Sequence, residues 1–98
     1  MPIDNLENCL DVAAAPHEHV IFTDLDGIEG VLVDLNTRKY YQLNETAAFV
    51  WRGLEKRLTM EKIAREMATL YDVPLGQAES SVEKLIRNLC AHKLLRAC

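Results

Sequence analysis

Apolar residues recur at three- and four-residue steps over the first turns of the chain, as Ile3, Leu6, Leu10 and Ala13, a spacing that gathers them on one helical face. A helix so short is marginal in water unless something packs against it. Residues 1–16 are therefore expected as an N-terminal arm, either flexible or a short helix. The period then changes to two. His19-Val20-Ile21-Phe22-Thr23 is β-branched and aromatic, and Asp26-Gly27 is a turn dipeptide. Gly30-Val31-Leu32-Val33-Asp34-Leu35 follows, with Val31, Val33 and Leu35 sharing one face. Asn36-Thr37 marks the next turn, and Arg38-Lys39-Tyr40-Tyr41-Gln42-Leu43 reads as a third strand. Two tight turns in succession predict an antiparallel meander, which leaves that third strand at an edge.

From Asn44 the period becomes helical. Asn44 is a good N-cap, Glu45 complements the first turn, and Ala47, Val50, Trp51 and Leu54 form a stripe. Thr59 opens a second helix with Met60, Ile63, Ala64, Met67 and Tyr71 facing inward. Asp72-Val73-Pro74-Leu75-Gly76 breaks it, and a third helix runs from about Gln77 to His92, carrying Val82, Leu85, Ile86 and Leu89. The expected fold class is α+β: an N-terminal three-stranded antiparallel sheet followed by three helices, winged helix-turn-helix-like, in one domain over residues 17–98.

Composition narrows the function classes. A chain of 98 residues that is 49% apolar and 27% charged can close one core without disulfides or metals. No run approaches the roughly 18–20 apolar residues of a spanning helix, and the start is acidic where a secretory signal is basic, so a cytoplasmic location is expected. Cys9, Cys90 and Cys98 lie in no redox or metal spacing and cannot all pair within one chain, so they read as thiols. Charge is unevenly placed. Residues 1–36 hold eight acids and no Lys or Arg, whereas residues 37–98 hold all 11 basic residues and the other seven of the 15 acids. Such asymmetry suits recognition of a charged partner, and solvation alone also accounts for it.

Catalysis is hard to build from these residues. There is no Gly-rich phosphate loop and no nucleophile elbow, and no enzyme activity, cofactor or metal is expected. His17 and His19 share a strand face, but two ligands are too few for a structural site. DNA binding is weighed because the last two helices resemble a helix-turn-helix pair. Glu79 and Glu83 would then lie against phosphates, and a pI near 5.3 argues the same way. The edge strand offers a third option. A peptide can add to an open edge through backbone hydrogen bonds while alternate side chains fill pockets. The candidate surface is Lys39, Tyr40, Tyr41, Gln42 and Leu43 on the strand, with Val82, Leu85, Ile86 and Leu89 on the third helix. Lys84 and Arg87 add positive charge and favour an acidic, partly apolar guest. The same strand also reads as ordinary core at Tyr41 and Leu43 with Lys39 guarding the edge, or as a surface for pairing with a second copy.

The run Gly30-Val-Leu-Val-Asp-Leu-Asn-Thr-Arg-Lys-Tyr-Tyr-Gln-Leu-Asn-Glu-Thr-Ala-Ala-Phe-Val-Trp51, continued by Thr59 to Val73 and Val82 to Leu95, resembles the PqqD family, named for the D protein of pyrroloquinoline quinone biosynthesis. The resemblance spans about residues 17–96. Its most specific part is Tyr40-Tyr41-x-Leu43-Asn44-x-Thr46-Ala47 with Thr59-x-x-x-Ile63-Ala64. It implies a non-catalytic recognition element for ribosomally made, modified peptides. Such an element binds a leader peptide as an added strand against the third strand and third helix. It then presents the precursor to a partner such as a radical SAM enzyme or a leader peptidase. The chain departs from the family at Glu55-Lys56, Ser81 and Lys93, where Asp-Gly, Asp and Gly are common.

Overall fold

The structure is a computed structural model, and it describes residues 15–96. Of the N-terminal arm expected over residues 1–16, residues 1–14 lie outside the described residues, while Ala15 and Pro16 form a short strand. In chain order come β1 (Ala15–Pro16), β2 (Val20–Asp24), β3 (Gly30–Asp34), β4 (Lys39–Leu43), α1 (Glu45–Glu55), α2 (Met60–Tyr71), α3 (Leu75–Ala91) and β5 (Leu95–Arg96). Strands β2, β3 and β4 form an antiparallel sheet in that order, as the two turns required. The likeness to a winged helix is not confirmed. A second, two-stranded pairing joins Ala15 to Arg96 and Pro16 to Leu95, clasping the two ends of the described chain.

Carboxylates shape both turns. Asp24 Oδ1 accepts from Gly27 N (2.6 Å), and Asp26 Oδ1 accepts from Ile28 N (3.0 Å) and Glu29 N (2.8 Å). Gly27 has φ 85°, a conformation that glycine adopts without penalty. In the second turn Asp34 Oδ1 accepts from Asn36 N (2.9 Å) and Thr37 N (3.3 Å). Burial by itself would raise the Asp34 carboxyl. The Asn36 and Thr37 hydrogen bonds, with His19 nearby, outweigh it and hold the carboxyl below the usual aspartate value. Arg38, expected in the strand, instead has φ 61° and closes the turn, so β4 begins at Lys39.

The phase of β3 also differs from expectation. Val31 and Val33 are half-buried and Leu35 is exposed, while Gly30, Leu32 and Asp34 face the core. Leu32 packs there with Val20, Leu43, Val50, Trp51, Leu54, Ile63, Met67, Val82, Ile86, Leu89 and Leu94. The helices begin where the caps predict. Asn44 Oδ1 accepts from Ala47 N (2.9 Å) and Thr59 Oγ1 from Lys62 N (3.2 Å). Asp72, in the left-handed region at φ 52°, ends α2. Helix α3 starts at Leu75 directly after Pro74, a turn's fraction earlier than its apolar stripe suggested. Lys93 has φ 59°, in the left-handed region that favours glycine, the residue that the resemblance leads one to expect there. Cys90 was expected as a thiol but is disulfide-bonded.

Helices cover one face of the sheet only, and the domain measures 36 × 34 × 18 Å. The other sheet face is open, with Ile21 48% and Tyr40 74% exposed.

Candidate functional site

The hydrogen-bond phase of the sheet decides what β4 offers. Leu35 N donates to His19 O (2.8 Å) and Leu25 N to Glu29 O (3.0 Å). These bonds bracket Val20/Asp34 and Asp24/Gly30 as the wide pairs, so Ile21/Val33 and Thr23/Val31 exchange the β2–β3 bonds. Val31 and Val33 thus turn their amides to β2, and Gly30, Leu32 and Asp34 turn theirs to β4. Their partners Leu43, Tyr41 and Lys39 close that ladder. The alternate residues, Tyr40 and Gln42, therefore point backbone N–H and C=O at the free edge. No backbone partner reaches them among the described residues.

Beside that edge, β4 and α3 enclose a groove of about 580 Å³. Of the expected residues, Tyr41, Gln42 and Leu43 line it from the strand, and Leu85 and Leu89 from the helix. The others fall elsewhere. Val82 (0% exposed) and Ile86 (4%) are core, turned under α3 toward α2. Lys39 lies at the strand's exposed start and Tyr40 on the open sheet face. Lys84 and Arg87 face solvent away from the groove, and Arg87 is engaged by Glu83 Oε2 at 2.9 Å. The cationic wall expected from them is absent.

A polar helical row at four- and seven-residue steps supplies the rest of that wall: Gln77, Ser81, Asn88 and His92. It runs beside the apolar stripe, and its polarity made it read as a solvated face. The His92 ring meets the Tyr41 ring edge-on at 5.3 Å, joining both walls at one end. Its Nδ1–H donates to the Asn88 carbonyl (2.9 Å), because a carbonyl can only accept. Val50, Met67 and Tyr71 form the floor toward α1 and α2. Burial first, then the Glu45 carboxylate, raises the Tyr71 hydroxyl above its ordinary value, so it remains a neutral donor. Glu29 enters from the β2–β3 turn.

His17 and His19 stack at 4.9 Å, and His19 Nε2 lies 3.7 Å from Asp34 Oδ1. Among the described residues no three His, Cys, Asp or Glu side chains gather where they could hold a metal ion.

Residues 29–95 match the family model of coenzyme PQQ synthesis protein D (PqqD). The chain belongs to the PqqD family. The matched span takes in both walls of the groove, from Glu29 through β4 to the end of α3. A search of curated proteins gave no significant match to this PqqD-family chain. Among solved structures it is similar to TbiB1 in complex with the TbiA(beta) leader peptide, at 26% identity and a TM-score of 0.79, over 84% of this chain and 94% of that one. It is also similar to a lasso peptide synthetase B1 complexed with the leader peptide, at 23% identity and a TM-score of 0.78, over 86% of this chain and 98% of that one. The second likeness speaks to the fold alone.

Proposed function

We propose that this PqqD-family domain binds the leader segment of a ribosomally made precursor peptide and presents the rest of the chain to a modifying enzyme or a leader peptidase. The domain itself does no bond-breaking chemistry in this reading. The observation that carries it is the unpaired edge of β4, with the amides of Tyr40 and Gln42 directed outward, next to an apolar groove walled by α3. TbiB1, a relative of the same fold and nearly the same extent, was solved with a leader peptide bound.

The guest adds as a strand at Tyr40 and Gln42. Its alternate side chains enter between Tyr41, Leu43, Leu85 and Leu89. Main-chain bonds give a sequence-tolerant part of the affinity and the groove gives selectivity. Ordering a disordered leader costs several kcal/mol, so a few anchors decide affinity more than contact area does.

Calorimetric titration with candidate leader peptides tests the reading, with duplex DNA as the counter-arm. Micromolar or tighter peptide binding with a negative heat-capacity change supports it. Salt-steep duplex binding without peptide binding would replace it with a DNA-binding regulator. That alternative is not favoured: Glu79 and Glu83 lie on the exposed side of α3 or at its margin, in a chain of pI about 5.3. No helix among the described residues is long and apolar enough to cross a membrane.

A further inference from the structure

We infer that the groove selects a guest with a lysine or arginine at the end marked by Glu29, and so takes a basic peptide; this rests on the peptide-binding reading above. Among the described residues lining the groove there is no Lys or Arg, and Glu29 is the one acid. The helix wall is neutral at Gln77, Ser81, Leu85 and Asn88. The cations on α3 that favoured an acidic guest do not reach the groove, and Arg87 is already paired with Glu83.

The turn that carries Glu29 holds two more acids, and both have partners. Asp24 accepts from Gly27 N and meets Arg52 at 3.1 Å, while that guanidinium also lies over the Phe22 ring. Asp26 accepts from Ile28 and Glu29 N, and those backbone bonds lower its carboxyl, keeping it ionised. Glu29 differs. Its N–H donates to Asp26 (2.8 Å) and its C=O accepts from Leu25 (3.0 Å), which fixes its backbone. Its half-buried carboxylate has no ion pair among the described residues. An unmatched carboxylate on a fixed backbone, at the mouth of a groove lined by no Lys or Arg, favours a cation on the guest and disfavours an anion. The β2–β3 turn thus contributes Glu29 to the recognition surface, with a sign opposite to that expected from Lys84 and Arg87.

The test uses a display library of random 12-residue peptides selected on the immobilised full-length protein. The best peptides are then synthesised and titrated against wild type, Glu29→Gln, Glu29→Lys and Leu85→Asp. Enriched peptides are expected to carry Lys or Arg at a fixed spacing from an apolar anchor. Glu29→Gln is expected to weaken them about two- to fivefold, the range of a partly exposed ion pair. Replacing the peptide's cation by Met should erase that difference, and Glu29→Lys should shift selection toward Asp and Glu. Peptides that lose binding in Leu85→Asp yet are neutral or acidic, and indifferent to Glu29→Gln, would overturn the charge inference and leave the groove reading standing. A selection yielding no peptide sensitive to Leu85→Asp would overturn both.

Discussion

A proline scan along β4 separates the free edge from the ladder at single-residue resolution. Proline removes one N–H and places its ring where the hydrogen had pointed. At Tyr40 or Gln42 that N–H faces the open edge, a place where sheets tolerate proline. At Tyr41 it faces Leu32 across the ladder. A backbone hydrogen bond is worth about 0.5–1.5 kcal/mol net, and leaving a partly buried carbonyl unmatched costs about 1–3 kcal/mol. Tyr40→Pro should therefore lose about 1–2 kcal/mol of peptide affinity, roughly 5- to 30-fold in Kd, with the fold retained. Tyr41→Pro should lose about 1–3 kcal/mol of stability, and each kcal/mol lowers the melting temperature by about 4–8 °C in a domain this small. Calorimetry reads the first effect and thermal denaturation the second. If Tyr40→Pro folds and binds leader as tightly as wild type, strand addition at this edge is wrong. If Tyr40→Pro unfolds while Tyr41→Pro is tolerated, the ladder phase derived from the Leu35 and Leu25 bonds is wrong.

Burial predicts a division of labour along α3: Ile86→Ala should cost about 2–4 kcal/mol of stability in urea unfolding, whereas Leu85→Ala, in the groove and half-buried, should mainly weaken leader binding. Lys84→Glu with Arg87→Glu should leave peptide affinity unchanged in titration, because neither side chain lines the groove. Gly53→Ala should destabilise by about 1–3 kcal/mol although alanine is the better helix former. A Cβ there would lie 2.8 Å from Ile63 Cγ1, and melting curves read the loss.

Much of this architecture is legible in the chain because its signals are local. Asn44 and Thr59 announce helix starts through side-chain chemistry that acts within a single turn, and both caps form as expected. Asp26-Gly27 likewise places the first turn. The phase of β3 was not legible. In Gly30-Val31-Leu32-Val33-Asp34-Leu35 alternation favours the wholly apolar Val31 face, yet Asp34 sits on the buried side because its carboxylate accepts the turn amides of Asn36 and Thr37. The answer comes from register: Gly30 opposite Leu43 and Leu32 opposite Tyr41 place the buried face one residue away from Val31 and Val33. The pairing of Ala15 with Arg96 joins opposite ends of the described chain and has no local signature at all. The groove shows the same limit. Tyr41, Leu43, Leu85 and Leu89 announce themselves as apolar. Gln77, Ser81, Asn88 and His92 look like any wetted helix face until the sheet is set beside them. Val82 and Ile86, equally apolar in sequence, prove to belong to the core because α2 packs beneath them.

Amide hydrogen exchange across β4, followed by NMR with and without saturating leader peptide, reads strand addition at the free edge. In the free protein the Tyr40 and Gln42 amides should exchange fast, and the Tyr41 amide, held in the ladder, slowly. Leader binding should slow exchange at Tyr40 and Gln42 together and leave Tyr41 little changed. Unaltered fast exchange at Tyr40 and Gln42 in the saturated complex would mean that the guest is bound elsewhere than on the free edge of β4, and strand addition there would be wrong.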